Sequence, residues 1–143
     1  MTFIDVINYW DRTDALVKHL GRTFVGSAKL HPDDQNTRSE LVGGSIAETR
    51  AIIKALQYER KLLKEKYKEY QNFVKACECY KNFDKDSQTA KVMYRQLNRR
   101  KRNIEKLTEK IDLLKEGIHE GLRERVRVLA KLEEIKNQRV KDN

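Results

Sequence analysis

The sequence predicts an all-α fold: a long antiparallel two-helix coiled-coil hairpin with a small N-terminal helical segment packed at its open end, making a three-helix head. Three observations carry this expectation. Apolar residues recur at heptad spacing in two separate tracts, the tracts are joined by a short polar segment, and the 143 residues include one proline and six glycines to interrupt helix. With 37% charged and 38% hydrophobic residues, the chain has core enough for one elongated domain but little for a compact globule. The expected organisation is a single domain over 1–143, with an N-terminal helix and loop at 1–44, a first long helix at 45–83, a turn at 84–87 and a second long helix at 88–140.

In the N-terminal segment, Phe3, Ile4, Val6, Ile7, Trp10, Leu16, Val17 and Leu20 read as one face of a single or broken amphipathic helix. Thr2 and Asp5 stand at capping-box spacing, and Gly21 is a plausible stop. Next, His31-Pro32-Asp33-Asp34 suits the first turn of a short helix running through Leu41-Val42, because proline lacks the amide hydrogen that the first turn leaves unpaired and acidic groups complement the helix dipole. The alternative is a loop packed by Phe24, Val25 and Leu30.

Gly43-Gly44 then marks a break, and Ser45-Ile46-Ala47-Glu48 reads as a capping box that starts the first long helix at Ser45. Its core positions are Ile46, Ile53, Tyr67 and Val74 on one register and Leu56, Leu63, Tyr70 and Cys77 on the other, interrupted by Thr49 and Arg60. Asn82-Phe83-Asp84-Lys85-Asp86-Ser87 supplies turn chemistry, with Asp86 or Ser87 able to cap the next helix. So short a connection makes the neighbouring helices antiparallel. In the second helix the registers are Ala90, Leu97, Ile104, Ile111, Ile118 and Leu132, and Met93, Leu107, Leu114, Val128 and Ile135, with Arg100, Gly121, Arg125 and Arg139 as exceptions. Equal rise places position i of the first helix opposite about position 170 − i of the second, so the second helix overhangs the first. The N-terminal segment is expected to cover the overhang, where Gly117 and Gly121 permit close approach or merely weaken an exposed helix.

The net charge of +9 is unevenly placed. Residues 57–114 hold sixteen Lys and Arg against nine Asp and Glu, whereas residues 1–56 balance. Arg95, Arg99, Arg100, Lys101, Arg102 and Lys106 form a dense run, with Lys61, Lys64, Lys66 and Lys68 expected alongside in one merged patch. Such a patch neutralises phosphates or acidic protein surface, and is equally the coat of a solvated stalk. Tyr58, Phe73, Tyr80 and Phe83 fall outside the heptad seam; exposed rings beside Arg are the composition of protein interfaces and also stack on unpaired bases, while long Lys and Arg stems offer them intrachain cover.

No catalytic, metal or cofactor constellation emerges. His31 with Asp33 and Asp34 is better read as a helix start, His119 between Glu116 and Glu120 as solvated, and Cys77-Glu78-Cys79 lacks a second ligand pair. No phosphate loop, G-x-S-x-G or H-E-x-x-H motif occurs. The functional expectation is therefore a non-enzymatic interaction module, an adaptor, scaffold or inhibitor, that binds another protein through Tyr58, Lys61, Lys64, Lys68, Tyr80, Phe83, Arg95, Arg99, Arg100, Lys101, Arg102 and Lys106. The alternative is an accessory protein that binds nucleic acid through the same basic residues without sequence preference. A chain with no apolar run long enough for a membrane, no basic-then-apolar leader and two free thiols is expected in the cytoplasm, or the nucleus of a eukaryote given Arg99–Arg102. Either a monomer or a homodimer joined through the overhang fits the heptads.

Overall fold

The computed structural model describes residues 1–29 and 40–141; within the latter, the side chains of 40–42, 122–126, 128, 129 and 132 are left aside. The described elements are β1 (Thr2–Asn8), β2 (Arg12–His19), β3 (Arg22–Lys29), α1 (Glu40–Glu78) and α2 (Gln88–Lys141). The all-α expectation is thus overturned: the N-terminal segment expected to supply the third helix of a head is an antiparallel meander in the order β1-β2-β3. The short helix expected from His31-Pro32 falls largely outside the described residues.

Local chemistry explains the strands. Residues 2–8 and 22–28 are rich in Thr, Phe, Val and Ile, which suit a pleated surface. In β2 the buried residues Thr13, Ala15 and Val17 alternate with more accessible Asp14, Leu16 and Lys18, the period of a half-covered strand. Leu20 and Gly21 both have positive φ, 51° and 76°, and they link the His19↔Arg22 pair. This is the geometry of a two-residue hairpin turn of the primed type, whose twist matches that of the strands. Gly21 therefore turns a hairpin and does not end a helix. In β1 the register shifts between Phe3 and Asp5, a bulge that breaks the alternation expected of a strand.

One face of the sheet lies on the first half of α1, and the centre of the contact is made of small residues. Ala15, Ala28 and Ala47 are buried together, with Val6 and Ile46 packed against them. A Cβ on Gly26 would run into the backbone of Ala47 and Ala51, so only glycine admits the helix at this distance. Gly43 and Gly44 also face the sheet. A Cβ on Gly43 would stand 3.2 Å from Thr13 Oγ1, and one on Gly44 would stand 3.8 Å from Val6 Cγ1. The first contact is tight and the second an ordinary one, so both glycines lie inside the helix against the sheet and do not end a helix; α1 starts at Glu40 instead of Ser45. Farther along, Arg50 Nη1 donates to the Ser27 carbonyl at 2.6 Å and Lys54 Nζ to the Val25 carbonyl at 2.7 Å. Those carbonyls belong to an edge strand, so the two side chains cover groups that would otherwise invite another strand.

Beyond the sheet, α1 and α2 form an antiparallel pair. Ile53, Leu56 and Ile111 are buried together, flanked by Ile52, Leu107, Leu114 and Ile118. Farther out the seam brings Arg60 to Thr108 and Tyr70 to Arg100. Ser87 caps α2, its Oγ accepting the Ala90 amide at 3.1 Å. Upstream, the Asp84 side chain accepts the Asp86 amide and its carbonyl accepts the Ser87 amide and hydroxyl, so the turn holds its own polar groups.

No described Cα of α2 lies within 8 Å of a strand. The expected cover of the overhang by the N-terminal segment is therefore absent: past Ile118 every described α2 residue is exposed, Ile135 and Val140 included. The accessible surface is 11068 Å², against about 7,700 Å² expected for a compact monomer of this mass. The shape is elongated. No described helix is long and apolar enough to cross a membrane.

Candidate functional site: the hairpin tip and its basic flanks

A two-helix ribbon has no third element to cover its sides, so large side chains near the turn remain partly in water. Phe73 and Tyr80 are 55% and 75% exposed, and Val92 on the opposing helix is 45% exposed. Together with Tyr70, Cys77, Phe83, Ala90 and Met93 they line a concave site of about 560 Å³ between the last turn of α1, the connection and the first turns of α2. Its polar lining is Asn82, Asp84, Ser87 and Thr89, of which Asp84 and Ser87 are already engaged in the turn.

Tyr70 anchors the floor. Its ring meets Phe73 at 5.8 Å and 38°, its hydroxyl donates to the Met93 carbonyl at 3.4 Å, and the Arg100 guanidinium stacks over the ring, its Cζ 4.7 Å from the centroid. Arg100 occupies a seam position where an aliphatic residue would fit the heptads. Its Nε is buried without a hydrogen-bond partner. Lys66, Glu69, Tyr70, Phe73 and Arg100 line a second groove that adjoins the apolar site through Tyr70 and Phe73.

Of the basic residues expected to lie side by side, Lys66 of α1 and Arg100 of α2 line one groove. Lys61, Lys64 and Lys68 line a shallow groove with Gln57, Arg60 and Glu65, all on α1. On α2, Arg95, Arg99, Arg102 and Lys106 follow helical spacing on the side away from the Met93, Leu97, Ile104 and Leu107 seam, and all four are exposed. Lys101 is exposed on another side of the helix and Arg100 is drawn inward. None of these cations has a carboxylate within 4 Å among the described residues. At the tip's other flank, desolvation and the neighbouring Glu78 raise the Tyr94 phenol above its usual value.

Tyr58 belongs elsewhere. It packs on Phe24 of β3 at 5.6 Å, with the Arg22 guanidinium 4.6 Å from its ring centroid, next to the His19–Glu59 bond of 2.9 Å. Its role is in joining sheet to helix. Tyr80 and Phe83 line the tip, whereas Phe73, Tyr70 and Val92 went unselected from sequence although they complete it. The signal for Phe73 was a large aromatic off the seam; nothing marked Val92, which needed the fold.

Cys77 and Cys79 are free thiols, the first lining the tip and the second exposed. His119 is exposed, and no three His, Cys, Asp or Glu side chains come together around a metal-sized space among the described residues; His31, Asp33 and Asp34 lie outside them. Compared with protein-family models, curated proteins and solved structures, the chain matches none.

Proposed function

We propose that this protein is a non-enzymatic interaction module, acting in the cytoplasm, that holds another protein at the tip of its helical hairpin. The observation that carries the reading is the apolar concavity lined by Tyr70, Phe73, Tyr80, Phe83, Val92 and Met93. Apolar surface left in water is destabilising relative to its buried state, and a concave, aromatic-rich patch recovers that free energy when a partner side chain enters it. The sheet packed on α1 serves as a base from which the hairpin projects.

Affinity capture on the full chain after nuclease treatment tests this. A defined protein partner should be retained by the native chain and lost with Phe73→Ser. Loss of every partner with the nuclease would instead favour the second reading, nucleic-acid binding, which rests on the unpaired stripe Arg95, Arg99, Arg102 and Lys106. That reading requires steep weakening by salt and loss of binding when the stripe is reversed to Glu.

A further inference from the structure

Resting on the reading that the tip binds protein, the geometry also narrows the chemistry of what binds. The apolar concavity and the groove beside it share Tyr70 and Phe73 and so adjoin as a two-part channel on the surface of the hairpin. One end is apolar, with Phe73, Tyr80, Val92 and Met93. The other end is cationic, with Lys66 and Arg100 against the single acid Glu69.

Arg100 is the unusual member. A charged residue at a seam position, stacked on Tyr70, with a buried Nε that finds no acceptor and no carboxylate within 4 Å among the described residues, is unfavourable inside this chain alone. An incoming carboxylate would give the guanidinium the bidentate partner its planar fork matches. Position along the helix sets the spacing: Val92 and Arg100 are eight residues apart, about 12 Å on a helix axis, close to two turns of a helix lying alongside.

We propose that the channel receives an acidic amphipathic helix of a partner protein. Its apolar face fills the tip concavity, and a Glu or Asp about two turns away pairs with Arg100. The excess of positive charge on the stalk complements such a segment and disfavours a basic one.

A displayed library of helical peptides, selected on the full-length protein, supplies probes whose composition is not chosen in advance. The enriched peptides should share an apolar pair at i, i+3 or i+4 spacing and an acidic residue seven or eight positions from it. Measured by fluorescence anisotropy, an enriched peptide should bind about tenfold or more weakly to Arg100→Glu, and its Glu→Lys counterpart should recover binding to that variant. Circular dichroism verifies that each variant keeps its helices, and Val92→Ser provides a second tip variant should Phe73→Ser lose helix. Peptides that need Phe73 but carry no acidic residue, or that ignore Arg100→Glu, would sink the acidic-helix assignment and leave the tip reading intact. Failure to enrich any peptide, or binding indifferent to both Phe73→Ser and Val92→Ser, would sink both. Concentration-dependent dimers in sedimentation that Phe73→Ser dissolves would replace the partner helix with a second copy of this chain.

Discussion

Gly26 is where one added methyl group should disturb the structure most. It faces Ala15 across the β2–β3 ladder and lies under the α1 turn from Ala47 to Ala51, both fully buried. The Cβ of Gly26→Ala would overlap the Ala47 carbonyl oxygen and the Ala51 amide nitrogen and stand 2.9 Å from the Arg50 carbonyl carbon. All three are backbone atoms, and none can rotate aside. Comfortable carbon contacts need about 3.5–4.0 Å, so sheet and helix must separate by more than an ångström and loosen the Ala15, Ala28 and Ala47 cluster. Overpacking of this kind costs about 1–3 kcal/mol, occasionally more, and backbone on the far side argues for the upper end, about 3 kcal/mol. Two other glycines calibrate the measurement. Gly117→Ala meets nothing within 4 Å and should stabilise α2 by about 0.5–1 kcal/mol. Gly21→Ala also meets nothing, but its φ of +76° should cost about 1 kcal/mol or slightly more. Urea unfolding followed by circular dichroism, with amide exchange of β2 reporting on the sheet separately, gives the three values. A Gly26→Ala loss under about 0.5 kcal/mol, or one no larger than that of Gly21→Ala, would refute the close sheet–helix contact.

Further outcomes follow from single positions. Leu20, 54% exposed with φ of 51°, pays left-handed strain for little burial, so Leu20→Asn should raise stability by about 0.5–1 kcal/mol in the same urea assay. Ile111→Ala removes a fully buried side chain from the Ile53 and Leu56 cluster and should cost about 3 kcal/mol. Ser87→Ala deletes the α2 cap and should cost about 1 kcal/mol, most visible as faster amide exchange at Ala90. Phe73→Ser, at an exposed ring, should change the urea midpoint little while weakening peptide binding; comparable losses in both would make Phe73 a structural residue.

The hairpin was legible because its signal is one-dimensional: heptads in a single helix, as in Ile104, Ile111 and Ile118, already state which side meets a partner. Ser87 was equally readable, since a cap is local. The N-terminal sheet was misread for physical reasons. Period-two alternation was present in Thr13, Ala15 and Val17, but the bulge after Phe3 disrupts it in β1, and Thr2 with Asp5 fell at capping-box spacing by coincidence. Gly43 and Gly26 are small because of a surface distant in sequence, and local rules assigned Gly43, with Gly44, to a break. At the site, Arg100 was visible as an exception to the heptads. Its meaning was not, because the ring it stacks on and the groove it shares with Phe73 come from the other helix.

Photo-crosslinking probes the tip most directly. With p-benzoylphenylalanine placed singly at positions 73, 80, 61 and 127 of the full chain, irradiation under native conditions and mass spectrometry identify what lies against each. The tip reading predicts one partner protein captured from positions 73 and 80 and little from 61 or 127. Capture of nucleic acid, or equal capture from position 61 on the basic groove, would contradict it.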